Sequence, residues 1–105
     1  LAREHRLRSS DEIREVVKSG KRVSNSVATI HFLSSETTQF AVVTSKALGN
    51  AVVRNRARRR AKAALVSFAN QNLQIRAVVR LRSEAGAMNW EQISSGLKEL
   101  IGRIK

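Results

Sequence analysis

Cysteine is absent from this 105-residue sequence, which removes disulfides and thiolate zinc sites and with them the zinc-finger, zinc-ribbon and zinc-deaminase routes to function. Aromatic residues are few: Phe32, Phe40, Phe68 and Trp90 are the whole set. A sheet that stacks RNA bases needs exposed aromatics, and hydrophobic spacing assigns all four to the core. Trp90 is read as an anchor of the last helix, with base stacking as its alternative role. No apolar run approaches the roughly 18 to 20 residues that cross a bilayer, and the N-terminus, which starts at Leu1, has no signal-peptide apolar stretch. The expectation is one cytoplasmic domain over residues 1–105 with no membrane partner. Gly49 stands alone, so no glycine-rich phosphate loop is present. The two histidines fall on different elements, His5 in an exposed N-terminal segment and His31 on a strand as a groove contact. No acid–base pair is identifiable, and no catalytic residue is expected. Asp11, Glu12 and Glu15 cluster where a helix dipole favours negative charge, so they read as helix-start residues, and no protein-bound metal or cofactor is expected.

Acidic residues are also missing from one long stretch. Between Thr37 and Ser83 there are ten Lys or Arg and no Asp or Glu, and six of the ten lie between Arg54 and Lys62. A net charge of +12 makes self-repulsion a standing cost, and a merely solvated helix face normally mixes signs. Nucleic acid fits such a one-signed surface, held through phosphates and groove shape, with weak sequence preference and strong salt dependence. An anionic membrane fits poorly, because the apolar stripe of the basic helix is alanine-rich and committed to a sheet.

Ser9 with Glu12 fits a capping box, and Ile13, Val16 and Val17 recur at helical spacing until Gly20, which predicts a first helix over 10–19. Ala28, Ile30 and Phe32 then alternate with Thr29, His31 and Leu33 in a strand, with Val23 to Asn25 as an optional separate short one. After a turn at Ser34 to Thr37, Phe40, Val42 and Thr44 alternate with Ala41, Val43 and Ser45, and these two strands are expected to be antiparallel neighbours. Gly49-Asn50 precedes a long helix over 51–69, whose Val53, Ala57, Ala61, Ala64, Leu65 and Phe68 share an arc of about 120°. The basic residues lie outside that stripe, near the helix start. There they oppose the macrodipole, while the same end offers backbone N–H groups to an anion. A strand over 74–81 sets Ile75, Ala77, Val79 and Leu81 against Arg76, Val78 and Arg80, and Asn89 caps a last helix. With helices on one face of the sheet, the other face stays open as a polar, basic groove.

The run Thr44-Ser45-Lys46-Ala47-Leu48-Gly49-Asn50-Ala51-Val52-Val53-Arg54-Asn55-Arg56, continued by basic residues to Lys62, resembles the signature of the bacterial ribonuclease P protein subunit. Arg6-Leu7-Arg8 before the first helix and Lys18-Ser19-Gly20 closing it match that family's N-terminal pattern. The resemblance implies an α+β fold, a small α/β sandwich of order α-β-β-(β)-α-β-α with a left-handed βαβ crossover. It implies docking on the catalytic RNA through Lys46, Asn50, Arg54, Asn55, Arg56, Arg58, Arg59 and Lys62. It also implies a groove of Ile13, Val17, Thr29, His31, Ala41, Val43 and Ser45 that holds the single-stranded 5′ leader of precursor tRNA. The reaction would be hydrolysis of one phosphodiester bond, leaving a 5′ phosphate on mature tRNA, with the catalytic centre and Mg²⁺ in the RNA. The protein would be a monomer apart from RNA. Ile13, Val17 and His31 stand where many relatives carry aromatics, Ala47 where a lysine often follows Lys46, and Val43 where a smaller residue makes a deeper floor. The alternative is a structural RNA-binding protein of ribosomal type, with no role in tRNA processing.

Overall fold

In a computed structural model that describes residues 1–104, each helix starts on a side chain suited to the task. Ser9 Oγ accepts the Glu12 N–H at 3.4 Å and opens α1, Ser10–Ser19. Asn50 Oδ1 accepts the Val53 N–H at 3.0 Å and opens α2, Ala51–Ala69. Asn89 and Gln92 exchange two bonds of 2.9 Å, a reciprocal capping box that opens α3, Trp90–Ile104. Gly20 ends α1 where the chain passes so close to the Val16 and Phe32 carbonyls that a Cβ would collide with both.

The strands are β1 Lys21–Ser24, β2 Ala28–Ser34, β3 Gln39–Val43 and β4 Ile75–Leu81, arranged in one sheet in the order β1-β2-β4-β3. The β1/β2 and β2/β4 pairs are antiparallel and β3/β4 is parallel, joined by α2 as the crossover. The expected antiparallel pairing of β2 with β3 is therefore wrong. Ala77, Val78 and Val79 of β4 are all 0% exposed, and a strand that is apolar on both faces belongs in the middle of a sheet, so β4 separates the other two. The turn between β2 and β3 bends around the start of β4 instead of forming a hairpin. Ser35 donates its N–H to the Gln74 carbonyl and Thr38 Oγ1 accepts the Gln74 N–H.

Alternation then splits the sheet into two faces. Ile30, Phe40, Ala77 and Val79 join Leu65 and Phe68 of α2 and Ile93, Leu97, Leu100 and Ile101 of α3 in the main core. On the other face, Leu7, Val16, Ala41 and Val78 form a smaller cluster under α1, flanked by Ile13, Val17 and Leu33. That face, expected to be open, is thus partly roofed by α1. Trp90 is 44% exposed and does not anchor the core: it is the first residue of α3, before the buried row that begins at Ile93. His5, expected to be exposed, is half-buried and donates a ring N–H to the Thr38 carbonyl at 2.8 Å, while Leu7 bonds the Phe40 carbonyl at 2.9 Å. Among the described residues no helix is long and apolar enough to cross a membrane.

Candidate nucleic-acid interface

Two surfaces carry the unbalanced charge. The first is the start of α2. A single 3₁₀ turn at Lys46–Leu48 buries Leu48 and leaves Lys46 exposed, and Gly49 follows at φ +138°, a conformation that side chains strain to adopt. The six cations of α2 divide into two groups. Arg54 reaches the Gly49 carbonyl at 3.1 Å, Arg58 donates to Thr44 Oγ1 at 2.7 Å and to Asn55 Oδ1 at 3.4 Å, and Arg60 holds the Met88 carbonyl at 2.7 Å. These three fasten the helix start to its surroundings. Arg56, Arg59 and Lys62 are exposed, and among the described residues they have no hydrogen-bond or ion-pair partner and no acid pairs with any cation of α2. Val52, 71% exposed, lies one turn before Arg56 on the same outer face.

The second surface is the sheet face under and beside α1. Strand register sets Arg22, His31, Val78 and Ala41 in one row across it, and Ser24, Thr29, Arg80 and Val43 in the next. Three hollows share walls along these rows. An open cleft of about 340 Å³ is lined by Arg22, Thr29, His31, Ser45, Arg80 and Arg82. Through Arg80 it meets a trough of about 340 Å³ between α1 and the sheet, walled by Ile13, Val17, Lys18, Val43 and Val78. Through Ile13 and Val43 that trough meets a hollow of about 290 Å³ that also includes Arg6, Arg8, Ala41 and Lys62. The result is a row of three adjoining hollows with an apolar middle and basic ends.

All seven groove residues expected from the sequence line these hollows, although Ala41 is buried under α1. Lys62, expected on the docking helix, stands at the groove mouth. His31 is only 6% exposed. Burial first, then the Arg80 and Arg22 charges, hold its imidazole below the ordinary histidine pKa, and among the described residues no group hydrogen-bonds its ring. Glu12 and Glu15, read as helix-start residues, also pair with Arg76 at 3.8 and 3.0 Å. They therefore neutralise one sheet cation and leave Arg80 free. Arg22 and Arg82 were missed as groove residues because their convergence depends on strand order. Arg80 was legible only as part of a basic strand face. Among the described residues no three His, Cys, Asp or Glu are grouped so as to hold a metal ion.

A four-stranded sheet with a basic groove on one face and an acid-free basic helix beside it defines a small α+β RNA-binding protein. The family model described as Ribonuclease P matches residues 1–105, and the chain belongs to the ribonuclease P protein family. It is 30% identical to the ribonuclease P protein component of Acholeplasma laidlawii over 108 residues, covering 100% of this chain and 93% of that protein. It is 26% identical to that of Corynebacterium diphtheriae, covering 99% and 96%. The fold is shared with the Staphylococcus aureus RNase P protein (TM-score 0.88, 23% identity, 96% and 95% covered). It is shared too with the Thermotoga maritima RNase P protein (TM-score 0.82, 20% identity, 95% and 97% covered). Family membership makes the chain the protein subunit of the ribonucleoprotein that matures tRNA 5′ ends, and sets aside the ribosomal-type alternative.

Proposed function

We propose that this subunit serves ribonuclease P with two RNA surfaces of different purpose. The start of α2 docks on the ribonuclease P RNA through Lys46, Asn50, Arg54, Asn55, Arg56, Arg58, Arg59 and Lys62, with Arg56 and Arg59 meeting the phosphates and Arg58 holding the helix in place. The groove holds the single-stranded 5′ leader of precursor tRNA, with Ile13, Val17 and Val43 as its apolar middle, the buried Ala41 beneath the Lys62 end, and Thr29, His31 and Ser45 toward the Arg22 and Arg80 end. The observation that carries this reading is the row of three adjoining hollows from Lys62 to Arg82, cationic at both ends. Phosphates entering it meet charges at Arg22, Arg80 and Lys62 that no acid among the described residues already neutralises. The product lacks the leader, so leader binding favours precursor over mature tRNA, while the net charge offsets repulsion between two RNAs.

The cleft offers guanidinium groups, hydroxyls, an imidazole and a single carboxylate, Glu84, which is already paired with Arg82 at 3.9 Å, a cation-rich set that does not fit Mg²⁺, which takes several carboxylate, phosphate and water oxygens. Mg²⁺ and the catalytic centre are assigned to the RNA, and the protein acts as a cytoplasmic monomer apart from its RNA partners.

The test is precursor tRNA cleavage at low Mg²⁺ by a bacterial ribonuclease P RNA, with and without this protein, beside a protein-only control. Correct 5′ cleavage stimulated only when both are present is the expected result. Absence of stimulation by a matched RNA contradicts the docking reading, and cleavage by protein alone contradicts an RNA catalytic centre.

A further inference from the structure

One group in the groove can change charge near neutral pH, and its surroundings fix which way it responds. His31 is paired in register with Arg22 of β1 and Val78 of β4, and its strand neighbour Thr29 is paired with Arg80. The segment after β4 contributes Arg82 and one acid, Glu84, which is exposed, bonded to Ser83 at 3.0 Å and paired with Arg82 at 3.9 Å, so that the two charges offset each other and Arg22 and Arg80 set the sign of the cleft. From α1, Lys18 approaches along the Arg80 trough, whereas Glu12 and Glu15 are engaged with Arg76. Before α2, Ser45 lines the cleft, and Lys46 follows it in the chain. The free cleft is therefore cationic, and both burial and the flanking guanidinium groups disfavour a charged imidazole.

A phosphate in the cleft reverses that balance. It adds negative charge beside the ring, and a neutral imidazole has only one N–H to offer it, whereas an imidazolium has two donors and forms charge-assisted bonds. Resting on the leader-groove reading, we propose that His31 takes up a proton from solvent as single-stranded RNA enters the cleft, so that the leader is held more tightly as the pH falls. At most one proton is bound per RNA bound, and leader binding becomes proton-linked.

The first measurement follows the His31 ring resonances of the whole protein against pH, alone and with a short single-stranded RNA oligonucleotide. RNA should move the His31 midpoint upward; an unchanged or lower midpoint overturns the proposal. The second measures affinity for precursor tRNA relative to mature tRNA in the reconstituted holoenzyme between about pH 8 and pH 6. The preference should grow toward acid pH, with a slope of at most about tenfold per pH unit, the limit for a single proton. His31→Gln should flatten the slope, with thermal unfolding used to establish that the variant is folded, and His5→Gln should retain it. A leader preference of equal slope in the wild type and His31→Gln defeats the proton linkage while leaving the groove reading intact. No leader preference at any pH defeats both.

Discussion

The two faces of the sheet are built from the same strands and differ in what covers them. On one face Ile30, Phe40, Ala77 and Val79 are sealed by α2 and α3, helices of 19 and 15 residues. On the other, α1 has 10 residues, roughly 15 Å of helix, and it seals Val78 and Ala41 while leaving Arg22, Arg80 and Val43 exposed. Alternation decides which side chains share a face, and the length of the covering helix decides which of them a ligand can reach. The same contrast recurs within α2, where Ala57, Ala61, Ala64 and Leu65 face the core and Arg56 and Arg59 face away from it.

The contrast can be broken most severely from the sealed face. Phe40 is 1% exposed within the main core, and Phe40→Ala should lower stability by about 3 to 5 kcal/mol in denaturant unfolding, a drop that a solvent-facing residue would not produce. On α2 the comparison sharpens between neighbours. Arg58→Ala removes a part-buried bond to Thr44 and should cost about 1 kcal/mol of stability, whereas Arg59→Ala should stay within about 0.5 kcal/mol of wild type. Equal unfolding midpoints for the two would show that Arg58 does not hold the helix start. Replacing Arg56 and Arg59 together should leave the fold intact and lower the salt slope of binding to ribonuclease P RNA by about one unit for each phosphate that is no longer neutralised.

The smallest expected effect concerns His31 in the free protein. Its folded pKa lies below the unfolded value of about 6.5, so its contribution to stability is fully present above that value and is lost as the pH falls through the folded pKa. Thermal unfolding from about pH 8 downward should therefore show wild type losing more stability toward acid pH than His31→Gln, and parallel profiles would contradict the burial of a neutral ring.

Much of this was legible from local pattern. The bounds of α1 and α2 follow from Ser9, Gly20 and Asn50 acting as start and stop signals, and the alternation of β2 and β4 assigned their faces. The neighbour of β2 was not legible, because the turn at Ser34 to Thr37 has the local chemistry of a hairpin. What displaces β3 is the apolar character of β4 on both faces, some 40 residues further along the chain, a competition that no local window contains. The same cause hid Arg22 and Arg82, which reach one cleft only once β4 lies beside β2. The division of α2 into tied and free arginines depends on Thr44 and Met88, partners that helical periodicity does not foretell. Trp90 fits the spacing of α3 but precedes its first buried residue, so periodicity alone overextended the core.

If the groove reads the leader and α2 reads the catalytic RNA, the two can be separated in one assay. The quantity to measure is the ratio of precursor to mature tRNA affinity in holoenzyme assembled with Arg80→Ala or with the Arg56/Arg59 double alanine variant, each at saturating protein. Arg80→Ala should lower the ratio, while the α2 variant should need more protein to assemble but keep the wild-type ratio. An unchanged ratio for Arg80→Ala, or a ratio lost with the α2 variant alone, would contradict this division of labour.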